Sequence, residues 1–204
     1  MASVTLHNAD NSKIEISPDW AILSDPPYGC ANDCDYTRFS GGISPSRNHH
    51  KGIIGDNQPF DPSRWLNHQH VVLFGYQHFA QRLPVGTLLV WNKKRAKGLG
   101  KFLSDCEIAW WNKGKGCYLF NHVWNGFDRE SERGEKTLHP SQKPIAVWEW
   151  IIQRMKLPPG ATICDPFMGA GSCGIAAKRL GYDFVGIEIE KQYFNAAKSR
   201  IGKA

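Results

Sequence analysis

Short apolar runs bounded by Gly, Pro, Asp and Asn punctuate the first two thirds of the chain. Ala21–Ser24 (AILS), His70–Phe74 (HVVLF), Thr87–Trp91 (TLLVW), Cys106–Trp111 (CEIAWW) and Cys117–Phe120 (CYLF) read as strands, buried where the run is wholly apolar. Between them, Asp61–His68 predicts a short helix with Asp61 as N-cap and Pro62 at the first helical position, and Gln77–Leu83 predicts another. Residues 29–60 and 124–143 lack periodicity and read as irregular. From Pro144 onward the pattern changes. A helix over Ile145–Met155 leads into strand Ala161–Cys164, a Gly-rich turn, helix Ser172–Leu180, strand Phe184–Ile187 and a last helix over Lys191–Ile201. Strands alternating with helices in this way predict an α/β fold with a parallel sheet.

Composition narrows the class. With 204 residues, 41% hydrophobic and 22% charged, the chain fits one ordinary globular domain. It contains no run of about 18 apolar residues that would span a bilayer. The start, MASVTLHNADNSK, has neither the basic beginning nor the apolar stretch of a secretory signal, so the expectation is a cytoplasmic protein away from membranes. The formal net charge of +6 suits a polyanionic partner. That charge is concentrated in Asn92–Lys101, where Lys93, Lys94, Arg95, Lys97 and Lys101 stand without an acid, as a loop following a phosphate backbone would. A solvated loop that merely aids solubility would show the same run. The six cysteines are scattered, which argues against a disulfide framework. Cys30 and Cys34 with His49 and His50 are zinc-ligand types at loose spacing with no second Cys pair, so no metal is expected.

Two segments carry chemistry. Asp165-Pro-Phe-Met-Gly-Ala-Gly-Ser-Cys-Gly174 follows a predicted strand and opens a helix, and Gly169, Gly171 and Gly174 fit G-x-G-x-x-G. Glycines there let the backbone turn tightly and approach a ligand closely. Glu188 ends the next strand, where an acid can accept hydrogen bonds from ribose hydroxyls. The motif alone does not separate a dinucleotide from an adenosyl ligand. Position does: a dinucleotide fold of the usual order needs a second mononucleotide half afterwards, and too little chain follows Gly174.

The other segment is Asp25-Pro-Pro-Tyr28, at the carboxyl end of a predicted apolar strand. An exocyclic amine of adenine or cytosine is a poor nucleophile because its lone pair is delocalised into the ring. Acceptors around its hydrogens, here the Asp25 carboxylate and the Pro26 carbonyl, favour the pyramidal geometry and stabilise the positive charge that develops on attack. Pro26 and Pro27 stiffen the turn and remove competing backbone donors, and Tyr28 offers a flat face for a displaced base.

With these residues in hand, the chain resembles the amino-methyltransferase branch of DNA methyltransferases, in particular the circularly permuted β-type group. The match rests on ILSDPPYG (Ile22–Gly29), on HPSQKP (His139–Pro144) with its helix IAVWEWII, and on DPFMGAGSCG (Asp165–Gly174) continuing through GYDFVGIEIEKQYFNAAKSRI, in that order. HVVLFG, LLVWNKK, CEIAWW and HVWNG also look like compact phage or prophage members. The resemblance implies a Rossmann-like fold with a mixed, mostly parallel sheet and helices on both faces, formed by a single domain over residues 1–204. It implies that Asp25, Pro26, Pro27 and Tyr28 hold the target amine and base, and that Asp25, Asp165, Pro166, Phe167, Gly169 and Gly171 line an S-adenosylmethionine pocket with Glu188 on the ribose. It places Ser141 and Lys143 near the methionine carboxylate, a role in which Lys supplies a point charge. Ala170 replaces a common serine, Ser172 and Cys173 replace the usual threonines, and HPSQKP replaces HPTQKP; the glycines and Asp165 remain.

The implied reaction is direct methyl transfer to N6 of adenine in DNA after base flipping, without a metal or covalent intermediate. No Pro-Cys nucleophile of the cytosine-C5 type stands at the catalytic position. Adenine is preferred over N4 of cytosine because the turn begins with Asp, whereas N4 members more often begin with Ser. Sequence readout falls to residues 30–60, 93–101 and 112–138, all short enough that recognition is modest or drawn from a homodimer. A restriction partner leaves no trace in the sequence, and the setting implied is a bacterial or phage-infected cell. Three other readings stay open. A dinucleotide-dependent oxidoreductase explains the glycines but not Asp25–Tyr28 or His139–Pro144, a non-catalytic DNA-binding module would use the fold without transfer, and an RNA or protein glutamine could be the acceptor.

Overall fold

The structure, a computed structural model, describes residues 2–30, 52–101, 104–125 and 128–204. Chain order runs β1 (Val4–Asn8), β2 (Ala21–Ser24), β3 (Val71–Phe74), α1 (Tyr76–Phe79), β4 (Thr87–Asn92), β5 (Cys106–Trp111), β6 (Cys117–Asn121), the two-residue strands β7 (Trp124–Asn125) and β8 (Asp128–Arg129), α2 (Ile145–Met155), β9 (Thr162–Asp165), α3 (Ser172–Arg179), β10 (Asp183–Glu188) and α4 (Lys191–Lys203). Eight strands form one sheet in the order β1-β10-β9-β2-β3-β5-β4-β6. Every neighbouring pair is parallel except the two made by β5, so β5 alone runs against the other seven.

The apolar runs alternate their side chains between two cores, as the period of two along a strand requires. Ala21, Leu23, Val72, Phe74, Leu89, Ala109, Ile163 and Phe184 face a layer built from α2, α3 and α4, where Phe74 meets Trp148 edge-on at 5.2 Å. Ile22, Val71, Leu73, Trp110, Cys164 and Val185 face the other way, beneath Trp65 and Phe79. The two faces are covered unequally among the described residues. The second face carries the four-residue α1 and single 3-10 turns such as Ser63–Trp65, not the full helices expected on both sides. The run Asp61–His68 yields only that 3-10 turn; Pro62 takes the N-cap position without a side-chain cap, and Asp61, one residue earlier, accepts from the Ser63 amide at 3.0 Å. On α2, Trp148 is buried in the core while Trp150 stacks on Phe120 at 5.0 Å, as their two-residue spacing requires.

β1 was not legible in the hydropathy pattern. Its residues are half-buried or exposed, and its place follows from parallel pairing with β10, Val4 opposite Phe184 through Asn8 opposite Glu188. β7 and β8 interrupt a stretch expected to be irregular throughout.

The chain leaves β9 through α3 to reach β10 on one side, and leaves β2 toward β3 on the other. The strand order therefore reverses between β9 and β2, which is where an open α/β sheet leaves a crevice at its carboxyl edge. Gly174 shows how tightly that edge is packed, since a Cβ there would lie 2.5 Å from the Phe184 ring and 2.6 Å from Ile201. Gly174→Ala should lower stability by about 1–3 kcal/mol through overpacking of α3 on β10 and α4, read from the midpoint of urea denaturation; an unchanged midpoint would show that the turn glycine has no packing role.

Candidate active site

Asp25 and Asp165 leave the carboxyl ends of adjacent strands, with Ala21 opposite Ile163 and Ile22 opposite Cys164. The Ser24 hydroxyl donates to Asp165 Oδ1 at 2.6 Å and ties the two turns together in the buried interior. Asp25, Pro26, Pro27, Tyr28, Ser141, Pro166, Phe167 and Glu188 share the lining of one cleft. A smaller adjoining recess is lined by Asp25, Lys143, Asp165 and Gly169, among others. The two segments singled out in the sequence thus meet.

Around Gly169 the backbone turns with φ +50°, and its amide donates to Glu188 Oε2 at 2.9 Å. Glu188 Oε1 accepts from the Glu190 amide at 2.8 Å. Burial raises the Glu188 carboxyl above its ordinary range, and these backbone donors pull it back only in part. Asp165 is 2% exposed, and burial pushes its carboxyl up to about 7 despite the hydrogen bonds from Ser24 and the Phe167 amide, with the Asp25 and Glu188 charges adding to the rise. Gly171, expected to border a ligand, instead faces α4. A Cβ there would stand 2.9 Å from the Ala197 Cβ, and the residue is absent from the cleft lining. Its φ of +79° starts α3, so the turn requires glycine for packing and conformation.

At the other end, Tyr28 stacks on His78 with ring centroids 4.7 Å apart and its hydroxyl donates to Asp25 Oδ1. One face of Tyr28 is therefore already covered. Gly75 permits this, because a Cβ there would run into the Tyr28 ring at 2.1 Å. Asp25 Oδ2 accepts from Lys143 Nζ, which also lies 3.1 Å from Glu107 Oε2 and 4.7 Å from the centre of the Phe74 ring. Burial raises the Asp25 carboxyl, with Lys143 opposing that rise and Glu107 adding to it. The Glu107 carboxyl, also raised by burial, is overridden by Lys143 and Lys93 and held at about 2. Lys143 lines the recess but gives its ammonium to these two carboxylates, a partnership the resemblance did not imply.

Sequence reasoning missed three sets of residues. Glu107 reaches the site because β5 runs backwards and delivers its first residues to the carboxyl edge of the sheet. Asp56, 4% exposed, accepts the successive amides of Tyr28, Gly29 and Cys30 at 3.0, 2.9 and 3.2 Å on one carboxylate oxygen, and so clamps the Asp-Pro-Pro-Tyr turn. Asp10 and Asn11 follow β1 into the cleft lining, with Asn11 donating to the Pro166 carbonyl. The only signal for Asp56 was its acid in a Gly-rich loop, too common to single out.

The basic run departs from expectation. Lys94 is 6% exposed and bonds Asp105 at 2.8 Å, Lys93 bonds Glu107 at 2.8 Å, and Arg95 bonds Asp128 at 2.7 Å. Folding brings these acids from neighbouring segments, so Lys93 and Lys94 do not present a phosphate-facing pair, while Lys97 and Lys101 are exposed. Residues 31–51, most of the first candidate readout segment, and with them Cys34, His49 and His50, the zinc-ligand types, lie outside the described residues. Among the described residues no group of three or more His, Cys, Asp or Glu is arranged to hold a metal, and no helix is long and apolar enough to cross a membrane.

Known proteins resemble this chain. The chain is 34% identical over 118 residues to the type II methyltransferase M2.LlaDCHI of Lactococcus lactis subsp. cremoris, covering 56% of this chain and 41% of that protein. It is 33% identical over 116 residues to the type II methyltransferase M2.DpnII of Streptococcus pneumoniae, covering 55% and 41%. The chain thus aligns with about two fifths of the length of these curated relatives. The crystal structure of the M1.HpyAVI-SAM complex superposes with a TM-score of 0.57 at 26% identity, covering 97% of this chain and 99% of that one. The fold is accordingly the Rossmann-like methyltransferase fold expected. The N6/N4 methyltransferase family model, described as DNA methylase, matches residues 93–199, more than half of the sequence, and the chain belongs to that family.

Proposed function

We propose that this chain is an S-adenosylmethionine-dependent DNA methyltransferase of the permuted β type, working as one domain on N6 of adenine. The observation that carries the proposal is the shared cleft: an amine-accepting turn at Asp25 and a ribose-type acid at Glu188 border the same space, joined beneath it by the Ser24–Asp165 bond.

The chain's own residues fit the cofactor. Gly169 has no side chain where a Cβ would approach the His139 ring at 3.4 Å, which leaves the turn open toward the cleft. Glu188 is anchored by two backbone amides and keeps lone pairs for ribose hydroxyls. Phe167 and Ile187 supply apolar walls, and Asp10 and Asn11 supply polar groups at the rim. The bound sulfonium supplies a methyl group already activated for displacement. Asp25 and the Pro26 carbonyl orient the amine, and the Asp25 charge stabilises the positive nitrogen formed as the N–C bond is made and the C–S bond breaks. The methylated nitrogen then releases one proton, for which Asp25 is the nearest base. Tyr28, with one face against His78, offers its other face to a flipped base, and Asp56 holds the turn's backbone so that these acceptors do not drift. N4 of cytosine is the alternative target; the Asp at the head of the turn supports adenine. DNA is the proposed partner, with Lys97 and Lys101 rather than Lys93 and Lys94 as its phosphate contacts; homodimerisation, a restriction partner and a cytoplasmic location in bacteria or phage-infected cells belong to the same reading.

With tritiated cofactor and unmethylated DNA, purified protein should transfer label that appears as N6-methyladenine after nucleoside digestion. Asp25→Ala should reduce kcat by roughly 100-fold or more. Label in N4-methylcytosine would move the target base, and absence of transfer to DNA would overturn the proposal.

Lys97→Ala and Lys101→Ala should each weaken DNA binding at low salt and reduce the slope of log K against log salt by about 0.9 for each phosphate that is no longer neutralised. Lys94→Ala should chiefly destabilise the fold, because it removes a buried side chain together with its bond to Asp105. Equal salt slopes in parent and the Lys97 and Lys101 variants would place DNA elsewhere.

The carboxyl of Asp165 sits higher in the folded chain than in the unfolded one, so the folded state binds the extra proton between about pH 4 and 7, and stability falls as pH rises through that window. Asp165→Asn should flatten this fall and raise the ligand-free Tm at pH 8, while weakening S-adenosylhomocysteine binding. A Tm no higher than the parent's at pH 8 would contradict the buried-acid assignment.

A further inference from the structure

Both oxygens of Asp25 already have partners: Tyr28 on Oδ1 and Lys143 on Oδ2. An acceptor so engaged is a poor acceptor for an incoming amine, since a bound ammonium withdraws the electron density that the amine hydrogens need. Lys143 is 5% exposed, so its ammonium cannot swing into water to release Asp25. Among the described residues its other ion-pair partner is Glu107 at 3.1 Å, whose carboxylate is held from behind by Lys93 at 2.8 Å. The four side chains form a charge-balanced row along the carboxyl edge of the sheet, from Lys93 just beyond β4 to the cleft.

We propose that Glu107 is a positioning residue for methyl transfer: its carboxylate takes up the Lys143 ammonium as Asp25 turns to the target amine. Lys143 keeps an ion pair throughout, and no buried charge is stranded as the amine gains its positive charge in the transition state. Lys93 fixes Glu107 so that the second acceptor waits at a constant distance. Phe74, with its ring face 4.7 Å from the ammonium, offers a surface that attracts the cation. Glu107 touches neither base nor cofactor and acts only through Lys143. The inference rests on the methyltransferase reading above.

The test compares Glu107→Gln, which keeps the shape but removes the charge, with the double variant Lys93→Met/Glu107→Gln, which also restores charge balance and guards against a folding defect. In both, kcat for DNA methylation should fall about tenfold or more, while KM for DNA and cofactor and the Kd for S-adenosylhomocysteine stay within about twofold of the parent, because only the transition state needs Asp25 released. Unchanged kcat in both variants would overturn the inference. So would a fall matched by weaker S-adenosylhomocysteine binding or a higher KM, which marks a merely structural role. Failure of the parent itself to methylate DNA, with S-adenosylhomocysteine bound, would instead overturn the functional reading and this inference with it.

Discussion

The hydrogen bond from Ser24 to Asp165 joins residues 141 positions apart, and the cleft exists because β2 and β9 are neighbours there. Parallel neighbours cannot be joined by a hairpin, so the intervening chain is free to build β3 to β6 before returning through α2. The two turns then emerge side by side at the edge where the strand order reverses. This placement gathers Asp25, Asp165 and Glu188 into one partly dry region, an electrostatically unfavourable arrangement that the surrounding donors only partly relieve. An acid pushed up to about 7 is a feature that folding alone does not favour.

Much of this was legible because it is local. The apolar runs sit between breakers, so β2, β3, β4, β5, α2 and the β9–α3–β10–α4 unit lie within a residue or two of where the pattern puts them. The Asp-Pro-Pro-Tyr and glycine turns stand at strand ends, where chemistry collects in α/β sheets. What was not legible depends on direction and pairing. β5 reads identically whether it runs up or down the sheet, and only the antiparallel choice brings Glu107 to Asp25. A five-residue edge strand with alternating exposure, β1, carries no strong hydropathy signal. The basic run looked free because its neutralising partners, Asp105, Glu107 and Asp128, sit on segments that fold beside it. Gly171 fitted a fingerprint whose glycines serve different ends, and sequence spacing cannot say which one faces a helix instead of a ligand.

The two halves of the cleft manage their charge by different means, and the difference bears on how such a site could work. On the Glu188 side every donor to the carboxylates is fixed: the amides of Gly169, Glu190 and Phe167 and the hydroxyl of Ser24 are held by secondary structure or burial. On the Asp25 side the counter-charge is the end of a lysine, whose four-carbon stem can move the ammonium while its backbone stays anchored just ahead of α2. The backbone of that same turn is nevertheless rigid, because Asp56 grips three consecutive amides and two prolines limit the chain. A donor-binding half needs constant geometry, since its ligand presents the same groups each cycle. An amine-accepting half must stabilise a charge that is absent in the ground state, and a movable cation beside a fixed carboxylate lets the local field change without any strand or turn shifting. In the proposed mechanism the fixed clamp at Asp56 and the shared ammonium of Lys143 are complementary, and their separation onto two residues is what the fold would contribute beyond bringing the two motifs together.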